Sequence, residues 1–229
     1  GIKGTNGNQF VLISLRSLIS LVLTQHAFLS PLASRRTDQV VVSTMSLVRA
    51  WGRLSKHELD FAFADSAMGH AQSLALGIAL AQPQRRVICL NGDGSMLMSL
   101  GSLVTIAQAR ARNLLLFVAQ NNTYEVTGNQ NIPGAGAVDF HEIALACGFP
   151  HAFHFNDARE YESHLDKILH LQGPVFISVR LEPGAEPPPN RKQSEDTPYL
   201  RGSIADSAHR LRTALSSEHR LKTALSSEH

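Results

Sequence analysis

One stretch constrains the fold of this chain more than any other. The apolar run Val87-Ile88-Cys89-Leu90 leads into Asn91-Gly92-Asp93-Gly94-Ser95, and an apolar stretch with helical character follows, from Met96 to about Ala109. That order spells a buried strand, a tight Gly-Asp-Gly turn and a helix. A further apolar run, Leu114 to Ala119, ends in Gln120-Asn121-Asn122-Thr123-Tyr124. Strands joined through a helix run parallel. The turn and the second strand end thus deliver an Asp and an Asn to one edge of a sheet, the edge at which open α/β sheets bind ligands.

The rest of the chain keeps the same alternation. Gln39-Val40-Val41-Val42 reads as the first strand, ends in Ser43-Thr44 and precedes a helix from Met45 to about Leu54. Phe61-Ala62-Phe63-Ala64 is a short strand, and Asp65-Ser66-Ala67-Met68-Gly69-His70-Ala71 opens a small-residue helix to about Gln82. Thr127 to Ala137 is a Gly-, Asn- and Pro-rich loop placed to cover a ligand. Asp139 reads as the N-cap of a helix over Phe140 to Cys147. His151 to Phe155 and Val175 to Val179 are strands on either side of a polar-faced helix, Asp157 to Leu171. The expected class is α/β, a parallel β-sheet with helices on both faces.

Residues 39–182 form the expected domain. Residues 1–38 precede it as a helix, roughly Val11 to Gln25, and a linker with a loop over Pro31 to Asp38. Residues 183–229 follow it as a Pro-rich linker and a helical tail. The tail ends in a decamer written twice, Arg210 to His219 and Arg220 to His229, differing only at Arg212 and Lys222. We read it as a duplicated, partly frayed surface helix.

The residues at the sheet edge have a definite chemistry. A carboxylate and an amide oxygen are hard ligands suited to Mg²⁺ or Ca²⁺, and Mg²⁺ fills the rest of its octahedron with water and phosphate oxygens. Glycines let backbone approach a phosphate closely, and a helix opening after Ser95 aims free N–H groups at the same place. The stretch reads as a diphosphate–metal clamp.

The run Leu76-Gly77, Pro83 and Ile88-Cys89-Leu90-Asn91-Gly92-Asp93-Gly94-Ser95 resembles the signature of thiamine-diphosphate enzymes, in their cofactor-diphosphate-binding, C-terminal domain. Asn121-Asn122 resembles its far end. The resemblance implies thiamine diphosphate and Mg²⁺ as cofactors. It implies Asp93, Asn121 and the carbonyl of Thr123 as metal ligands, with Asn122 the alternative to Asn121 because the family's Asn pair fits either frame. Gly92, Gly94, Ser95 and Tyr124 would then border the cofactor. Ser43 and Thr44 either cap the helix that follows or touch the diphosphate; the family's nearby Gly is replaced by Met45-Ser46-Leu47. The segment with Ser66, Met68 and Gly69 resembles the one that holds the aminopyrimidine ring, with Met68 either the apolar wedge beneath the cofactor or plain core. His70 is either a group for substrate or proton transfer, or structural.

Met68-Gly69-His70-Ala71, the run Leu97 to Leu103, and Tyr124-Glu125-Val126-Thr127-Gly128 look most like sulfopyruvate and phosphonopyruvate decarboxylases. Such enzymes remove CO₂ from a 2-oxo acid substrate. An acetolactate-synthase-like carboligase part and a non-catalytic partner-binding remnant are the alternatives. The family also needs a second domain, whose Glu activates the aminopyrimidine, and this chain has no room for it. The resemblance therefore implies either a partner subunit carrying the pyrimidine-binding domain, in a hetero-oligomer, or a chain that is a truncated piece of a longer protein.

Composition excludes other classes. Net charge is +2, with no Lys/Arg cluster to track nucleic acid. Phe10 to Leu23 is apolar but too short, and too interrupted by Arg16 and serines, to span a bilayer. A dinucleotide-binding domain would carry Gly-x-Gly-x-x-Gly after its first strand, where Ser43-Thr44-Met45 stands instead. Two scattered cysteines, Cys89 and Cys147, cannot ligate an iron–sulfur cluster and read as buried reduced thiols, which points to the cytoplasm.

Overall fold

The structure, a computed structural model of the 229-residue chain, describes residues 23–63, 68–187 and 203–226. The expected helix from Val11 lies, up to residue 22, outside the described residues, as do Ser66 and the greater part of the Pro-rich linker.

The described elements are α1 (Gln25–Arg35), β1 (Val40–Thr44), α2 (Ser46–Leu54), β2 (Asp60–Phe63), α3 (Ala71–Ala81), β3 (Val87–Gly92), α4 (Asp93–Met98), α5 (Ser102–Ala109), β4 (Leu114–Gln120), β5 (Thr123–Tyr124), β6 (Gln130–Asn131), α6 (Phe140–Ala146), β7 (His151–Phe155), α7 (Ala158–His170), β8 (Val175–Arg180) and α8 (Ile204–Ser226). Six strands pair parallel throughout in the order β2-β1-β3-β4-β8-β7, while β5 and β6 make a short antiparallel hairpin at the site.

The strands sort their side chains by the two-residue period of a β-strand. Val40 and Val42, Val87 and Cys89, and Leu114, Leu116 and Val118 join the core on the face of α3, α5, α6 and α8. Val41, Ile88 and Leu90, Leu115 and Phe117, and Val175, Ile177 and Val179 join the core beneath α1, α2 and α7. Burial on both faces explains why the central strands are near-continuous apolar runs. Asp139 caps α6 as expected, accepting from Glu142 N–H, and Asp157 caps α7 through Arg159 and Glu160 N–H.

Four sequence readings need correction. The supposed loop from Pro31 lies inside α1 up to Arg35. Thr24 caps that helix, and Phe28, Leu29 and Leu32 are buried against the sheet; this burial outweighs the hydrogen bond that Pro31 removes. The helix expected from Met96 to Ala109 is two helices. The turn at Gly69 seats so closely on Met98 and Ser99 that an added Cβ would lie 2.9 Å from Ser99 Oγ, and Ser99 leaves helical geometry there (φ −142°, ψ 47°). Neither Ser43 nor Thr44 caps α2, since Met45 occupies the cap position without a side-chain bond. Finally, α8 is not a purely surface helix. Ser203 and Asp206 cap each other's backbone at its start, and Ser207, Leu211 and Ala214 are buried beside Phe61 and Phe63 of β2.

Candidate functional site

The strand order puts a topological switch point between β1 and β3. From β1 the chain turns to β2 on one side, and β3 lies on the other. Above the strand ends lies an open cleft, lined by Met45, Met68, Asp93, Asn121, Thr123 and Tyr124, together with Gly92, Gly94, Ser95 and Glu125. The switch point of an open sheet is where its ligand binds.

Asp93 follows directly on β3 and is 1 % exposed. Gly94 N–H donates to its Oδ1 at 2.7 Å and Asn122 N–H to its Oδ2 at 2.6 Å. Burial pushes its carboxyl up to about 6, against the pull of those N–H donors. No Lys, Arg or His stands among the described residues that line the cleft. A buried carboxylate with no protein cation beside it has the character of a metal ligand. The turn also needs its glycine. A Cβ on Gly94 would stand 2.7 Å from the ring of Tyr124, which lies over the turn.

The two asparagines divide their work. Asn121 lines the cleft; its Oδ1 accepts from Thr123 N–H at 3.1 Å and its Nδ2 donates to Glu125 Oε2 at 3.0 Å. Asn122 adopts φ 62°, a left-handed conformation that Asn tolerates. Its side chain turns away to accept from Gly136 N–H at 3.1 Å. Thr123 and Tyr124 form β5, held by pairing with Asn131 and Gln130 of β6.

The segment expected under the aminopyrimidine ring reaches the same place. Met68 is half-buried in the cleft lining, and Gly69 (φ 91°) donates its N–H to Ser95 Oγ at 3.0 Å. A buried amide chain anchors this turn to β3. Asn91 Nδ2 donates to Gln72 Oε1 at 3.0 Å, and Gln72 Nε2 donates to Gly69 O at 2.8 Å and to Ser102 Oγ at 3.0 Å.

Three expected residues stand apart. His70 is exposed at the start of α3 and does not line the cleft. Ser43 and Thr44 are buried within β1; Thr44 Oγ1 donates to Phe63 O, and Ser43 Oγ has no hydrogen-bond partner among the described residues. Met45 and Ser46 line the cleft in their stead. Met45 takes φ 53° and ψ −130°, a region that favours glycine, at the place where the family commonly has one nearby.

Sequence reasoning missed Gln25, Gln72, Asn91 and Glu125. Gln72 gives no local signal beyond a polar residue on an apolar face, and Asn91, though inside the Leu90–Ser95 stretch, gives no sign of its bond to Gln72. Glu125 was visible as an acid directly after Tyr124, yet its partners come from remote segments.

The family model of the thiamine pyrophosphate (thiamine diphosphate) enzyme C-terminal TPP binding domain matches residues 43–179. The chain belongs to that family. Sulfopyruvate and phosphonopyruvate decarboxylases are among the proteins that it is similar to. It is 41% identical over 118 residues to "sulfopyruvate decarboxylase subunit beta" of Methanothermobacter thermautotrophicus, covering 52% of this chain and 60% of that one. With the protein of the same name from Methanococcus maripaludis it shares 30% identity over 169 residues, 73% of this chain and 89% of the other. With "phosphonopyruvate decarboxylase" of Streptomyces viridochromogenes it shares 34% over 155 residues, 67% of this chain but only 38% of that protein. The chain thus spans from about two fifths to nine tenths of these relatives. Benzoylformate decarboxylase from Polynucleobacter necessarius has the same fold, with a TM-score of 0.63 at 22% identity over 72% of this chain and 34% of the other.

Proposed function

We propose that this chain is the thiamine-diphosphate- and Mg²⁺-binding part of a 2-oxo acid decarboxylase of the sulfopyruvate/phosphonopyruvate kind. Its partner is a subunit carrying the pyrimidine-binding domain and the activating Glu. The observation that carries this reading is Asp93, a buried carboxylate at the switch point with no protein cation among the described residues that line the cleft, beside Asn121 and Thr123. Such a donor set fits Mg²⁺ with a diphosphate.

In this reading Asp93, Asn121 Oδ1 and the Thr123 carbonyl hold the metal. The backbone from Gly92 to Ser95 receives the diphosphate, with Tyr124 closing over Gly94. Met68 is the apolar wall under the cofactor, held in place by the Ser95–Gly69 bond and the Asn91–Gln72 chain. His70, exposed outside the cleft, has no role in this reading. When bound, thiamine diphosphate supplies the electron sink that lets a 2-oxo acid lose CO₂. The names of the Methanothermobacter and Methanococcus relatives, each a subunit beta, support the need for a partner chain. Both cysteines are free thiols, and no helix among the described residues is long and apolar enough to cross a membrane; a reducing cytoplasm suits the first of these.

Replacing Asp93 by Ala tests the reading. The side chain sits after a strand end, so the fold should persist while calorimetric binding of thiamine diphosphate in Mg²⁺ disappears. Undiminished binding by a folded Asp93→Ala chain refutes the metal assignment.

A further inference from the structure

Glu125 is buried (7 % exposed) in the short helical turn after β5, and it stands where three distant segments meet. Its Oε1 accepts from the backbone N–H of Glu186 at 2.9 Å. Its Oε2 accepts from Asn121 Nδ2 at 3.0 Å and, more distantly, from Gln25 Nε2 at 3.4 Å. The chain beyond β8 wraps it so closely that a Cβ on Gly184 would overlap the carboxylate. Glu125 is therefore held from three sides.

We propose that Glu125 is a positioning residue that fixes which end of the Asn121 amide faces the cleft. The proposal rests on the metal-binding reading given above. An ionised carboxylate only accepts, so the side of Asn121 facing Glu125 must be its NH₂. Thr123 N–H only donates, so the atom facing it must be the oxygen. Between them the two partners leave Asn121 one orientation, with Oδ1 as the hard oxygen offered at the metal edge. Partners outside the ligand shell that orient a ligand in this way commonly alter metal affinity 10–100-fold when removed.

The geometry makes a sharp double-variant test. In Glu125→Gln the Glu186 N–H still demands an oxygen, so the new NH₂ turns toward Asn121 and donor meets donor. The amide then either loses this bond or flips and sets its own NH₂ against Thr123 N–H. Adding Asn121→Asp restores the two bonds that orient residue 121: the Gln NH₂ donates to one Asp oxygen and Thr123 N–H to the other, with net charge unchanged, while the longer Gln25 contact survives only if Gln25 turns its amide oxygen to the new NH₂. The readout is calorimetric titration of Mg²⁺ with thiamine diphosphate into the full chain, with thermal melts run alongside.

The expected result is at least a tenfold loss of Mg²⁺ affinity in Glu125→Gln, with affinity in the double variant returning to within about threefold of the unaltered chain or better. Unaltered affinity in Glu125→Gln overturns the proposal. So does a loss that Asn121→Asp fails to repair, which would make Glu125 a ligand itself or a purely structural group. If Glu125→Gln does not fold, the double variant decides alone: folded and metal-binding supports the proposal, anything else overturns it. An unaltered chain that binds no Mg²⁺ brings down the metal-binding reading and this proposal together, whereas binding that is blind to Glu125 removes only the proposal.

Discussion

Asp93 costs the metal-free chain stability. Its carboxyl titrates near 6 in the folded state, against an ordinary value of 3.8. A raised folded value means that the folded chain binds the proton more tightly than the unfolded chain. The stability linked to that proton is fully present below about pH 4 and is lost as pH rises through 6. By pH 7 the loss is about 3 kcal/mol, at 1.36 kcal/mol per pH unit. A cation at the carboxylate would remove that cost. Mg²⁺ with thiamine diphosphate should therefore raise the melting temperature well at pH 7.5 and little at pH 5; equal shifts would count against Asp93 as the titrating ligand. Asp93 and Gly94 were readable in the sequence because a Gly-Asp-Gly turn directly after an apolar run sets an acid at the end of a buried strand, where a carboxylate serves a ligand and not the core. Met45 was not. Its positive φ arises from how β1 must hand over to α2 at the cleft, and a methionine gives no hint of such a backbone.

At the scale of elements, the strands were legible and the helix contacts were not. Apolar runs such as Leu114 to Ala119 mark a doubly covered strand wherever it lies. Whether α1 docks, or where the stretch after Asp93 breaks, depends on groups far away in sequence: the core beneath Phe28, and the Gly69 turn against Ser99. The helix α8 shows the same limit. Its repeat suggested a solvated helix, yet Leu211 is 6 % exposed against the β2 face. Leu211→Asp should cost about 2–4 kcal/mol, as burying a charge or unseating the helix would. Val104→Asp on α5, where the side chain is 56 % exposed, should cost under about 0.5 kcal/mol. Urea unfolding of the two variants checks the difference, and equal midpoints would mean that α8 adds nothing to the folded unit.

On the scale of the whole molecule, the proposed function makes the cleft an anchor and one wall, with acid–base help supplied by the partner subunit. Such help is worth roughly 10²–10⁴-fold. The purified chain should release no CO₂ from sulfopyruvate, phosphonopyruvate or pyruvate, and addition of the partner subunit should start turnover. Robust decarboxylation by the chain alone would end the two-subunit reading. The pairing of β3 with β4 has a further consequence, for inheritance. Gly92 lies opposite Ala119, so Asp93 and Asn121 leave the sheet from adjoining rails held in fixed register. One codon gained or lost within Val87–Gly92 or Leu114–Gln120 would turn Asp93 or Asn121 to the wrong side of the sheet, because side chains alternate at every residue. The turn between α5 and β4 carries no such count. Insertions accepted over evolutionary time should gather there and spare the two strands.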